Sequence, residues 1–67
     1  MIPEQRRDFI YRYVHEKNVA SFNELAELMS VSHMTVRRDI QLLEEEGKVI
    51  TINGGVKLNN QLKLELP

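Results

Sequence analysis

The sequence predicts a mainly α domain that carries a small β-hairpin: three helices, then two short strands. Three observations predict it. Apolar residues recur at helical spacing through three successive segments that end near Gly47. Beyond Gly47 the pattern changes to the β-branched run Val49-Ile50-Thr51-Ile52. Asn53-Gly54 then supplies a two-residue hairpin turn, a type I′ geometry that asks for positive φ at both positions. A chain of 67 residues is one domain with one modest core.

The first helix spans 3–17. Pro3 suits its first position, where the missing N–H costs nothing. Phe9, Ile10, Tyr13 and Val14 form its buried stripe, and Asn18 terminates it, because Asn tolerates the left-handed conformation. Val19-Ala20 is too short to be more than an extended connector. Ser21 and Glu24 have the spacing of a capping box, which opens a second helix over about 22–29. That helix puts Phe22, Leu25, Ala26 and Met29 on one side, and the small Ala26 lets another helix approach. Ser32 caps a third helix over about 33–46, with Val36, Ile40 and Leu43 on one face and Gly47 at its end. Val56-Lys57-Leu58 is the return strand of the hairpin. Two helices joined by a tight turn and followed by a hairpin make a winged helix-turn-helix.

Composition narrows the function. The chain holds 9 Lys+Arg against 10 Asp+Glu, a net charge of −1, which excludes a uniformly basic nucleic-acid binder but not one with segregated charge. The charge is segregated: the segments 1–18, 32–43 and 47–67 are net positive, while 19–31 and Glu44-Glu45-Glu46 are negative. There is no Cys, hence no disulfide framework and no thiolate metal site. His15 and His33 fall on different helices with no ligand cluster around them, so no metal or other cofactor is expected. No apolar run approaches the ~20 residues of a membrane span, and no signal peptide opens the chain, so a cytoplasmic protein is expected. No nucleophile–base–acid arrangement or phosphate-cradling glycine loop is present, which argues against an enzyme.

The third helix carries the chemistry. At about 100° per residue, Val36, Ile40 and Leu43 fall within about 60° of one another and face inward. Met34, Arg37, Arg38 and Gln41 fall at roughly 100–200° and face out, Arg38 most squarely. Arg forks onto guanine, Gln onto adenine, and an exposed Met meets a thymine methyl. Ser32, His33 and Thr35 sit at the helix N-terminus, where N–H groups favour phosphate, and Ser21 does the same for the second helix. Asp39 lies nearer the inward face and is expected to anchor the helix, or to form a local ion pair as Arg37 also could. At the hairpin, Asn53 is either a plain turn residue or a DNA contact, with Lys57 neutralising backbone charge.

The run Ser32-His33-Met34-Thr35-Val36-Arg37-Arg38-Asp39-Ile40, with Leu43, Gly47 and Asn53-Gly54-Gly55-Val56, resembles the N-terminal winged-helix domain of DeoR-type bacterial repressors. Arg6-Arg7, Glu24-Leu25-Ala26 and Val31-Ser32 fit the same pattern, so the resemblance covers about residues 4–57. It implies sequence-specific binding of double-stranded operator DNA, repression of sugar or nucleoside catabolism, and a homo-oligomeric full-length protein. It also implies a phosphorylated-sugar effector acting through a C-terminal domain that is absent here. The DNA-binding domain is then 1–58, and 59–67 is the linker. The sequence departs from the family in two places: Ser30 stands where Gly is usual, and Thr51-Ile52-Asn53 replaces Arg-x-His before the Gly-Gly pair. The alternative reading is a winged-helix protein–protein interaction module, favoured by the net charge of −1, the acidic run Glu44-Glu45-Glu46 and the alternating Leu62, Leu64 and Leu66 of the tail.

Overall fold

The computed structural model describes residues 1–59. The linker from 60 onward and the tail leucines lie outside the described residues. The order is α1 (Pro3–Lys17), β1 (Val19–Ser21), α2 (Phe22–Met29), α3 (His33–Glu45), β2 (Val49–Ile52) and β3 (Gly55–Leu58). This is the winged helix-turn-helix expected from the sequence.

Each helix starts and stops for a local reason. Pro3 opens α1, and the Gln5 side chain accepts the Ile2 N–H at 3.2 Å. Asn18 ends α1 at φ 77°. The Ser21–Glu24 capping box is formed in both directions: Ser21 Oγ accepts the Glu24 N–H at 3.0 Å, and the Ser21 N–H donates to Glu24 Oε1 at 3.1 Å. Ser32 Oγ accepts the Thr35 N–H at 3.2 Å. Both α2 and α3 end in Schellman motifs. At α2 the Val31 N–H reaches Ala26 O at 3.1 Å and the Ser30 N–H reaches Glu27 O at 3.3 Å, with Ser30 left-handed at φ 56°. At α3 Lys48 N–H reaches Leu43 O and Gly47 N–H reaches Glu44 O, both at 3.0 Å, with Gly47 at φ 77°.

Two expectations are corrected. Val19-Ala20 is not a connector but the start of β1, which pairs antiparallel with β3 in the register Val19↔Lys57, Ala20↔Val56, Ser21↔Gly55. The hairpin is therefore part of a three-stranded sheet of order β1-β3-β2. The turn is also not type I′. Only Gly54 has positive φ (80°), and Asn53 does not, which is the sign pattern of a type II turn.

The sheet packs one face on the helices. Ala20, Val49 and Val56 are buried with Ile10, Val14, Leu25, Ala26, Met29, Val36, Ile40 and Leu43 in a single core. Phe9, Tyr13 and Phe22 are half-buried at its rim rather than fully inside, because rings of that size outreach a core this small. Asn59 is tied back to the end of α3: its Nδ2 donates to Gly47 O at 2.8 Å and its N–H to Lys48 O at 3.2 Å.

Candidate nucleic-acid interface

The orientation of α3 is set by what it buries. Val36, Asp39, Ile40 and Leu43 face inward. Asp39, 2% exposed, is the one buried charged residue among those described. Arg6 of α1 grips it as a fork: Nε donates to Oδ2 at 2.6 Å and Nη2 to Oδ1 at 3.2 Å, with Arg7 Nη1 4.0 Å from Oδ1. The pairing raises the pKa of the Arg6 guanidinium, chiefly through the hydrogen bond to Asp39. Asp39 thus anchors α3 on α1, and the opposite side of α3 is free for a partner.

A second polar link ties α1 to the turn region. The Tyr13 hydroxyl donates to Glu24 Oε2. That bond raises the Tyr13 pKa, with burial adding to it, and lowers that of Glu24, which also accepts the Ser21 N–H. One carboxylate therefore caps α2 and fastens it to α1.

The outward residues of α3 stand as the wheel places them. Met34 is 65% exposed, and Arg37, Arg38 and Gln41 are exposed. Arg38 and Gln41 have no hydrogen bond or ion pair among the described residues. The Arg37 guanidinium carbon lies 5.2 Å from the centre of the Phe22 ring, so Arg37 stacks across to α2 instead of forming an ion pair. Ser32 and Thr35 share a hydroxyl hydrogen bond of 3.1 Å at the start of α3. His33 Nε2 and Asn23 Oδ1 are 2.7 Å apart, which joins the first turns of α3 and α2. Ser21 is half-buried within its capping box.

The wing is divided. Thr51 Oγ1 donates to Glu44 Oε1 at 2.9 Å, which fixes β2 to the second half of α3. Asn53 is exposed at the tip. Lys57 alternates with the buried Val56 and lies opposite Val19 and Ile50 across the pairs, so it projects from the outer face of the sheet, away from α3. Met34, Arg37, Arg38 and Gln41 share the exposed side of α3 with Ser32, His33 and Thr35 at its start, whereas Ser21 lies in the α2 cap, Asn53 at the wing tip and Lys57 on the outer sheet face.

Five partners were not read from the sequence: Phe22 under Arg37, Asn23 beside His33, Arg6 on Asp39, Tyr13 on Glu24 and Thr51 on Glu44. Each joins two elements, so no spacing within one helix could signal it. No group of His, Cys, Asp or Glu able to hold a metal occurs among the described residues. None of their helices is long and apolar enough to cross a membrane.

Residues 6–62 match the family model of the DeoR-like helix-turn-helix domain. The chain belongs to the DeoR-like helix-turn-helix family. It is 49% identical over 65 residues to an HTH-type transcriptional regulator of Haemophilus influenzae, covering 97% of this chain and 25% of that protein. It is 51% identical over 57 residues to the HTH-type transcriptional regulator YgbI of Escherichia coli K12, covering 85% and 22%. With a lactose phosphotransferase system repressor of Staphylococcus aureus it shares 40% over 60 residues, covering 90% and 24%. The chain spans about a quarter of the length of these curated relatives. No solved structure matches it significantly. Within this DeoR-like domain the left-handed Ser30 occupies the turn between α2 and α3.

Proposed function

We propose that this DeoR-like domain reads operator DNA for a bacterial transcriptional repressor of sugar or nucleoside catabolism, with α3 in the major groove. The observation that carries the reading is the two-sidedness of α3. Its inner side is locked by Val36, Asp39, Ile40 and Leu43, while Met34, Arg38 and Gln41 are exposed side chains of the types that read base edges. Ser32, His33 and Thr35 at the start of α3, with Ser21 at the start of α2, meet phosphates on either side of the groove. Asn53 at the wing tip touches the flanking backbone, and Lys57 contributes charge rather than a base contact.

The sugar assignment rests on the Staphylococcus relatives, named as lactose phosphotransferase system repressors. In this reading residues 1–58 are the DNA-binding domain and 59–67 lead toward a further domain that senses a phosphorylated sugar and carries the homo-oligomer contacts. A protein of this kind works in the cytoplasm and catalyses no reaction.

The reading is tested by titrating the chain with a mixed-sequence DNA duplex over a series of salt concentrations. Binding that weakens steeply with salt is expected, because phosphate neutralisation releases counterions. Binding that is insensitive to salt, or no binding at low salt, contradicts it and favours a protein partner instead.

A further inference from the structure

We propose that Phe22 is a positioning residue that holds Arg37 as a phosphate-directed arm, leaving its neighbour Arg38 to the bases. The inference rests on the DNA reading above and deepens it. Arg37 and Arg38 are adjacent, both exposed, and neither forms an ion pair among the described residues. They differ in one contact, the Phe22 ring 5.2 Å from the Arg37 guanidinium carbon. At that separation the cation is attracted by the ring face.

The stack fixes the direction of Arg37. Phe22 is the first residue of α2 and packs half-buried on the core, so its ring is a fixed platform. Stacking draws the guanidinium back from the outermost line of α3 toward the first turn of α2. In helix-turn-helix docking the first helix of the pair crosses the DNA backbone there, whereas bases are met by the helix in the groove. The contact with the ring uses none of the guanidinium N–H donors, which form no hydrogen bond among the described residues and stay available for a phosphate.

The charge also stays available. Arg37 shares a shallow groove with Gln41, Glu44 and Thr51. Glu44 Oε1 accepts from Thr51 Oγ1 at 2.9 Å, and Arg37 forms no ion pair with it among the described residues. Holding a long side chain before binding lowers the ordering cost of the contact.

The test measures binding of the chain to a mixed-sequence DNA duplex across salt concentrations for wild type, Arg37→Ala, Phe22→Leu and the double variant. Leu keeps an apolar side chain on the core while removing the ring, and a melting curve checks the fold. Arg37→Ala is expected to lower the slope of log affinity against log salt by about one. Phe22→Leu is expected to weaken binding about two- to fivefold, the loss of an exposed cation–π contact. In the Arg37→Ala background Phe22→Leu should have no further effect, since the ring acts only through Arg37. The Arg37 Nε–H resonance, shifted by the ring in wild type, should move in Phe22→Leu. An equal loss from Phe22→Leu in both backgrounds overturns the proposal, as does an unchanged salt slope for Arg37→Ala. A wild-type chain that fails to bind the duplex at low salt overturns the DNA reading itself, and this inference with it.

Discussion

Tyr13 and Glu24 show how one hydrogen bond makes stability depend on pH. Glu24 has its pKa lowered from an ordinary 4.5, and Tyr13 has its raised from 10.0. A lowered carboxylate contributes stability above its unfolded pKa that disappears as pH falls through the folded value. A raised hydroxyl contributes stability below its unfolded pKa that disappears as pH rises through the folded value. The bond therefore stabilises the domain between these two ranges and fails on both sides. Tyr13→Phe is expected to flatten the alkaline decline and soften the acid one, read as melting temperature against pH. A profile identical to wild type would remove the pair from the stability account. At the proposed interface, Arg38→Ala should cost about 1–3 kcal/mol at a preferred operator if the side chain forks onto a base. The same affinity as wild type in an operator titration would exclude Arg38 from base contact.

Elements are fixed by backbone demands at a few positions. A Cβ on Gly55 would lie 2.4 Å from Ala20 O and 3.1 Å from Ser21 Cα, both backbone atoms of β1 that have no rotamer to yield. Gly55→Ala is expected to push β1 off β3 and cost about 1–3 kcal/mol in urea unfolding, the scale of overpacking elsewhere. Ser30 makes the opposite case. It holds φ 56° and ψ 46° in the turn that sets α3 against α2, a region that costs an L-residue about 1–2 kcal/mol. Ser30→Gly relieves that strain at some cost in chain entropy, and a net gain of about 0.5–1 kcal/mol is expected from the same unfolding measurement. The helices were legible because each carries its own start signal and period, Pro3, Ser21 and Ser32 opening them, and because Asn18 and Gly47 stop the first and third. β1 was not legible, since three residues cannot display a period and its partner lies far along the chain at Gly55–Lys57. The turn was misread because Asn-Gly satisfies type I′ and type II alike, with Gly54 taking the positive φ that either needs at the second position.

For the molecule as a whole, the outward face of α3 was legible from spacing alone, because burial of Val36, Ile40 and Leu43 dictates what is left outside. The Arg6–Asp39 fork was only half legible. Asp39 fell near the inward face, but nothing in the sequence names a partner on another helix. That fork holds α3 on α1, and removing either partner should loosen the α1–α3 contact. Arg6→Ala should lower the melting temperature more than Asp39→Ala, because it strands a buried carboxylate, whereas a freed Arg6 at the surface reaches water. The opposite order would mean that Arg7 takes over the pairing. A single module of this size buries only about 600–1,000 Å² on DNA, so weak binding is expected of it alone. Linking two copies is expected to raise the apparent affinity about a hundredfold or more where the tether lets both engage.

In the proposed function the N-terminal part of α3 and the first turn of α2 face DNA. The most direct measurement follows the amide resonances of the labelled chain during titration with a mixed-sequence duplex at two salt concentrations. Salt-sensitive shifts are expected at 32–41 and around Ser21–Asn23, with the exposed side of α1 at Arg12 and His15 unmoved. Shifts confined to the outer sheet face around Val19 and Ile50, with α3 silent, would contradict it.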